Sequence, residues 1–136
     1  MPVSADRLQA VPLFSTLSAE ELAAVAGRFE ERQVKPGTHI TTEGASGYTF
    51  FVIESGTVEV ERDGSVVNTL GPGDFFGETA ILSGERRNAT VAAASEVDLL
   101  VLFGTEFRIL EREWPAVAAT IAAKMAERTA LAPQAE

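Results

Sequence analysis

Turn signals at short intervals constrain the fold of this chain more than any other feature of its sequence. Between Gln33 and Phe103, short segments rich in Thr, Val, Ile and Phe are separated every few residues by groups that favour turns. These groups are Lys35-Pro36-Gly37, Glu43-Gly44, Ser46-Gly47, Ser55-Gly56, Asp63-Gly64 and Gly71-Pro72-Gly73. Turn signals at this density indicate an antiparallel sandwich or barrel of short strands.

Two places in this segment predict individual strands. The sequence Arg62-Asp63-Gly64-Ser65 predicts a tight hairpin that joins a strand over Thr57–Glu61 to one over Val66–Leu70. Further on, every second residue would line one face of a strand: Val97, Leu99, Val101 and Phe103. Because Leu100 and Leu102 are also apolar, both faces of this strand are expected to be covered.

Helices are predicted before the strands. Ser18 and Glu21 have the spacing of a capping box, which predicts a helix from Ala19 to about residue 28. A shorter helix is expected within Ser4–Phe14, stopping near Pro12.

Helical spacing returns after Phe103. Thr105 is predicted to cap a helix that carries Phe107, Ile109 and Leu110. Trp114-Pro115 should end this helix and begin a last one, which would run to about Leu131. The last helix would carry Val117, Ile121, Met125 and Arg128 on one side.

Composition and charge exclude several classes of protein. At 136 residues and 46% hydrophobic content the chain suits one domain with a real core. The absence of cysteine rules out a disulfide scaffold, and no signal-peptide pattern or long apolar run is present, so we expect a cytoplasmic location without membrane insertion. A formal charge of −9, with only two lysines, disfavours nucleic-acid binding.

The segment Gly71–Val91 has the character of an anion site. A turn at Gly71-Pro72-Gly73 is followed by two aromatic residues, Gly77-Glu78, a short apolar run and Arg86-Arg87. A single helical turn here would offer unpaired backbone amides and a favourable dipole to an anion, and an arginine could close over a phosphate.

The same segment resembles the cyclic nucleotide-binding domain family. That family includes regulatory subunits of cyclic-AMP-dependent protein kinase, the catabolite activator protein and cyclic-nucleotide-gated channels. Its pattern is approximately F-G-E-(L/I)-A-L-L, a short spacer and P-R-x-A-T-V. The matching residues are Phe76, Gly77, Glu78, Ala80, Leu82, Arg87, Ala89, Thr90 and Val91.

Other parts of the chain carry the resemblance further. Leu13–Leu17 is similar to the family's entry motif, the residues from Pro36 to Gly44 to its G-x-x-I-x-x-E-G segment, and Phe50–Val58 to its F-Y-x-I-x-S-G-x-V strand pair. The resemblance covers roughly residues 8–130.

The resemblance implies an antiparallel β jelly roll, or double-stranded β-helix, with flanking helices. The N-terminal helices would occupy residues 1–32, the β-roll 33–103, the C-terminal helices 104–132 and a tail 133–136. A short helical turn inside the roll would bind phosphate, and the last helix would serve as a lid. The whole of 1–136 would be a single domain.

The resemblance also assigns a role to individual residues. Arg87 would contact the cyclic phosphate, helped by the backbone amides of Ala80 and Asn88. Glu78 would accept a hydrogen bond from the ribose 2′-hydroxyl, with the backbone of Gly77 close by. The base would lie against an apolar wall and under the last helix: Leu70, Val91, Val58 or Val60, and Met125 or Arg128.

Three departures from the family pattern stand out. Arg86 replaces the proline that usually precedes the arginine, and Tyr48 stands where an acidic residue is common. Asn88 stands where small residues or threonine are common, which leaves the choice between cyclic AMP (cAMP) and cyclic GMP (cGMP) open. We expect cAMP as the ligand, with no cofactor.

The expected function is therefore that of a sensor, whose last helix moves on binding and which acts through an unidentified protein effector. No residue set for nucleophilic or acid–base catalysis is recognisable, so an enzyme is not expected. The main alternative is a structural or protein-interaction domain that keeps the fold without a ligand.

Two further alternatives are disfavoured. A regulator of the catabolite-activator type would need a helix-turn-helix after Glu136 and a basic surface. A metal enzyme on a cupin-like barrel would need several converging ligands, whereas His39 is the only histidine and is expected at the surface of a sheet.

Overall fold

Within the residues that the computed structural model describes (5–42, 44, 49–77 and 89–131, with side chains to 127), eight β-strands lie in two antiparallel sheets. The strands are β1 (Glu30–Val34), β2 (His39–Thr41), β3 (Thr49–Ser55), β4 (Val58–Arg62), β5 (Ser65–Leu70), β6 (Phe75–Phe76), β7 (Thr90–Ala93) and β8 (Val97–Phe103). The first sheet has the order β1-β8-β3-β6 and the second the order β2-β7-β4-β5.

This arrangement confirms the predicted jelly roll, although the two sheets do not close into a barrel. The hairpin between β4 and β5 has the predicted two-residue turn, in which Asp63 and Gly64 both have positive φ (54° and 80°). The strand region begins at Glu30 and not at residue 33 as predicted. The early residues of β1 are exposed and charged, so no apolar pattern marks them; pairing with β8 makes them a strand.

The first sheet separates two apolar cores. Neighbouring residues of a strand face opposite sides of a sheet. Phe50 and Val52 of β3 lie in a helical core, packed against the helices, whereas Phe51 and Ile53 lie in a roll core between the sheets. Strand β8 divides in the same way: its predicted inward set lies in or against the roll core, while Leu100 and Leu102 lie in the helical core. Both faces of β8 are thus covered, as predicted.

In the part of the chain that the structure describes, four helices flank the sheets: α1 (Ala5–Gln9), α2 (Ala19–Ala26), α3 (Gly104–Glu113) and α4 (Pro115–Leu131), with one turn of 3-10 helix at Pro12–Phe14. The capping box is present, since the Ser18 hydroxyl accepts a hydrogen bond from the Glu21 amide and the Glu21 carboxylate accepts one from the Ser18 amide. Helix α4 has its predicted bounds. None of these helices is both long and apolar enough to cross a membrane.

One further helix prediction is confirmed and another was wrong. A short helix lies within residues 4–14 as predicted; it is α1, and it ends before Pro12 because Val11 precedes that proline and takes an extended conformation (φ −91°, ψ 121°). Thr105 does not cap α3; the helix starts one residue earlier, with Phe103 at the N-cap position and no side-chain hydrogen bond there.

Two arginines form ion pairs that link the helices to one another and to the first sheet. Arg28, just after α2, forms ion pairs with Glu106 (3.2 Å) and Glu113 (2.6 Å) of α3. Arg7 of α1 makes a two-pronged contact with Glu54 at the end of β3 and an ion pair with Glu31 of β1 (2.8 Å). The carboxylates of Glu54 and Glu31 raise the pKa of the Arg7 guanidinium, and Arg7 lowers the pKa of Glu31.

The turn between β3 and β4 admits only glycine. Gly56 has φ +88°, and a Cβ atom added there would lie 2.2 Å from the carbonyl oxygen of Glu96. We expect Gly56→Ala to lower the free energy of unfolding by about 2–5 kcal/mol, from the left-handed backbone and the clash together. Gly37 is the matched control, because it has the same φ but nothing within 4 Å of an added Cβ.

Urea denaturation of the two variants separates strain from clash. Gly37→Ala should cost only the backbone strain, about 1–2 kcal/mol. Equal losses in the two variants would contradict the close approach to Glu96.

The lowered pKa of Glu31 predicts a loss of stability in acid. A carboxylate with a depressed pKa in the folded state stabilises the fold above its unfolded pKa, near 4.5, and this contribution disappears as the pH falls through the lowered value. Wild type should therefore exceed Glu31→Gln in stability at pH 6, and the difference should shrink on acidification. Glu30→Gln, at the exposed neighbouring position, is the matched control in the same urea denaturation series. A difference between wild type and Glu31→Gln that does not change with pH would refute the assignment.

Candidate functional site

The four wall residues predicted on strands lie together. Val58 and Val60 of β4, Leu70 of β5 and Val91 of β7 are all at most 5% exposed and belong to the roll core. The register of the second sheet explains this, because Val58 stands opposite Leu70 and Val60 opposite Val91. Alternation then turns all four side chains to the inner face of the sheet.

The first sheet supplies the opposite side of the same core. Phe51 and Ile53 of β3 and Leu99 and Val101 of β8 belong to the roll core and are at most 3% exposed. Sequence reasoning named these residues as sheet or core residues but not as part of a site. The alternation of apolar residues along β8 was the signal that could have assigned Leu99 and Val101 to the site.

Gly77 lies at the entry to the predicted phosphate segment. It is buried, has φ +87°, and directly follows β6. Strand β6 pairs with β3, where Phe76 stands opposite Phe51 and the two rings stack with centroids 4.9 Å apart. The stacked rings hold the chain against the first sheet at this point, and the positive φ turns the backbone away from the strand direction.

The predicted phosphate segment ends on the second sheet. Ala89 is 3% exposed in the roll core, and its carbonyl oxygen accepts a hydrogen bond from the buried Thr41 hydroxyl (3.3 Å). The segment 78–88 therefore leaves from one sheet and returns to the other. Four predicted ligand contacts, Glu78, Ala80, Arg87 and Asn88, lie outside the described residues. Thr41 was not foreseen as an anchor, and its burial leaves no mark in the sequence.

The predicted lid residue Met125 does not lie beside the wall. It is fully buried in the helical core, on the other side of the first sheet from Val58, Val60, Leu70 and Val91. The reason is the apolar stripe of α4, where Val117, Ile121 and Met125 recur every fourth residue and pack with the other helices. A lid contact from Met125 would require α4 to leave this position. The side chain of Arg128 lies outside the described residues.

Two open clefts near Arg7 contain none of the predicted site residues. One, of about 420 Å³, is lined by polar side chains around Arg7, Glu31 and Asp98. The other, of about 450 Å³, lies between the end of α1 and the turn that precedes β6. The carboxylates of Glu31 and Glu54 already neutralise Arg7, so this arginine is engaged in structure.

His39 lies exposed on β2, as predicted. In the described ranges, no three His, Cys, Asp or Glu side chains are grouped so that they could hold a metal ion.

The part of the chain that contains the candidate site is similar to known proteins. The sequence model described as "Cyclic nucleotide-binding domain" matches residues 31–113. A cyclic nucleotide-gated potassium channel of Rhizobium etli is 41% identical over 119 residues, which are 88% of this chain and 33% of the channel. The chain thus spans about a third of the length of that curated relative.

Two solved structures share the fold over nearly the whole chain. The catabolite activator protein of Thermus thermophilus has a TM-score of 0.78 and 33% identity, over 90% of this chain and 60% of that one. The regulatory domain of Toxoplasma gondii PKA, in a co-crystal with cAMP, has a TM-score of 0.76 and 25% identity, over 90% of this chain and 48% of that one.

Proposed function

The chain belongs to the cyclic nucleotide-binding domain family, and on that basis we propose that it is a sensor that binds a cyclic nucleotide, cAMP by preference, and has no catalytic activity. One observation carries the proposal. The segment with Glu78 and Arg87 is anchored at both ends in the roll core, where the four wall residues meet. The base of a nucleotide whose phosphate and ribose are bound by that segment could therefore contact the wall residues.

The phosphate is assigned to Arg87 and to the backbone amides of Ala80 and Asn88. A guanidinium forms charge-assisted, two-pronged hydrogen bonds with phosphate oxygens, and amides at the start of a helical turn add to them. Such a local site overrides the net charge of −9, since short-range contacts outweigh a screened distant field.

The ribose is assigned to Glu78 and Gly77. A carboxylate accepts a hydrogen bond from a 2′-hydroxyl, and the buried backbone at Gly77, with φ +87° and no Cβ, lets a sugar approach closely. Inorganic phosphate carries no ribose hydroxyl to donate a hydrogen bond to this carboxylate. The pair therefore favours a nucleotide over an inorganic anion.

The base is assigned to the aliphatic wall of Val58, Val60, Leu70 and Val91. These buried side chains offer dispersion contacts to a flat ring and no hydrogen-bonding groups. The preference for cAMP rests on the similarity to the regulatory domain that was co-crystallised with cAMP.

The signal is assigned to α4. In the described structure Met125 lies in the helical core, so a contact between α4 and the base means a change of position. A ligand that binds better to the rearranged state would shift the equilibrium toward it. An unidentified protein partner would read that shift.

A ligand-free domain of the same fold is the alternative. It would keep both apolar cores and the capping box, because neither depends on a nucleotide. The ligand contacts distinguish the two functions, and calorimetry tests them directly.

Calorimetric titration with cAMP and cGMP should show saturable binding, tighter for cAMP. Arg87→Ala should weaken cAMP binding by about 10–150-fold, because a hydrogen bond to a charged group is worth about 1.5–3 kcal/mol. Glu78→Ala should weaken it by about tenfold or more on the same grounds. Arg86→Ala is the matched control, since it removes the neighbouring arginine.

Two results would overturn this assignment. If a protein that still unfolds cooperatively shows no saturable binding at millimolar cyclic nucleotide, the sensor function is rejected and the ligand-free domain remains as the function. Equal losses in Arg86→Ala and Arg87→Ala would remove the assignment of the phosphate to Arg87.

The native chain has no cysteine, so cysteines introduced at chosen positions can be spin-labelled selectively. Distances between such labels can follow the position of α4. The exposed positions His39 and Ala123 would report on α4 relative to the second sheet, with His39 and Ser65 as a control pair within that sheet. Saturating cAMP should change the distance distribution of the first pair and leave the second unchanged. An unchanged first pair, with calorimetric binding intact, would refute the movement of α4 and not the binding.

A further inference from the structure

Among the described strands, four lie at sheet edges, and three of these are protected against pairing with other chains. In the described residues β2 has three residues and β6 has two, which is too short to pair well with another strand. Strand β1 is longer but carries Glu30, Glu31 and Arg32. Short length and charge are the usual means by which proteins keep sheet edges from binding other chains.

Strand β5 is the exception. It has six residues, Ser65-Val66-Val67-Asn68-Thr69-Leu70, without a charge or a proline. No described strand pairs with its outer side, and an edge of this kind is the template for adding a further strand.

The exposed large apolar side chains of the described residues are also on β5: Val66 is 53% and Val67 is 42% exposed. A β-bulge explains why neighbouring residues are both exposed. Val60 pairs with Asn68 and Glu61 with Val66, so Val67 is an extra residue without a partner on β4. Without the bulge, Val66 and Val67 would face opposite sides of the sheet; with it, both are exposed at one edge.

Two glutamates flank this pair. Glu59 and Glu61 of β4 alternate with the buried Val58 and Val60, so they lie on the outer face of the second sheet. Glu61 stands opposite Val66. Among the described residues neither glutamate belongs to an ion pair. The edge therefore combines aliphatic surface with negative charge that no ion pair among the described residues neutralises.

We propose that β5 is a docking edge for an extended segment of another protein that presents aliphatic side chains and Lys or Arg on the same strand face. The segment adds a strand beside β5, packs its aliphatic side chains on Val66 and Val67, and reaches Glu59 and Glu61 with its cations. A second copy of this chain is a poorer occupant, because each copy has a charge of −9 and would bring its own glutamates to the contact.

The probe is an eight-residue peptide, blocked at both ends, in which every second residue is Thr and the residues between are Lys and Val in turn, so that Lys and Val share one face of the strand. In an NMR titration of the full chain, we expect shifts of the Ser65–Leu70 amides and slower amide exchange there. The same peptide with Glu in place of Lys should bind about tenfold more weakly or not at all, because its charges oppose Glu59 and Glu61.

Matched variants locate the contact. Val66→Lys with Val67→Lys should weaken binding of the Lys-Val peptide by about tenfold or more, since the change removes the apolar contacts and adds opposing charge. Gln9→Lys with Ala10→Lys adds the same charge at exposed positions at the end of α1 and should leave binding within about threefold. Glu59→Gln with Glu61→Gln should weaken binding and reduce its dependence on salt.

Three outcomes would overturn the proposal. The first is the absence of peptide-induced shifts in β5. The second is equal binding of the Lys and Glu peptides. The third is a dimer in sedimentation experiments that Val66→Lys with Val67→Lys abolishes, which would assign the edge to a second copy. No cyclic nucleotide enters these experiments, so they succeed or fail independently of nucleotide binding.

Discussion

The fold depends on the first sheet being apolar on both faces. Strands β3 and β8 carry buried side chains at successive positions, so one face packs on the helices and the other on the second sheet. A polar face on either strand would remove the apolar surface on which one of the two cores packs. The first sheet thus lies between the wall of the proposed base site, on the second sheet, and the position of α4 in the helical core.

Local patterns in the sequence predicted those features that local interactions decide. The Ser18 capping box, the Asp63-Gly64 hairpin and the alternation of Val97–Phe103 each depend on neighbours in the chain, and each is present. Patterns failed where distant contacts decide. Strand β1 has no apolar alternation and exists because β8 pairs with it, and the apolar stripe of α4 gave no information about which of the two cores Met125 would join.

The candidate site was predictable to the same extent. Its wall residues follow from alternation once their strands are known, and the structure gathers them on one inner face. The roles of Glu78 and Arg87 rest on the family motif, which only a likeness to other proteins could supply. Features such as the buried Thr41 hydroxyl and the Arg7 ion pairs leave no signal in the sequence, because a polar side chain reveals its partner only after the chain has folded.

The junction between α3 and α4 has a mechanical consequence. Only Trp114 (φ −136°, ψ 63°) interrupts the helical conformation, and its half-buried ring packs against the helical core. Pro115 has no N–H, so bending the chain here breaks no backbone hydrogen bond at that residue. Rotation about two torsions can therefore redirect the whole of α4. A helix of 17 residues is about 25 Å long, and a turn of about 10° at Trp114 would displace its far end by about 4 Å. The geometry of this junction would let it act as a pivot for α4, with the fixed point in the helical core and the largest displacement at the far end of the helix.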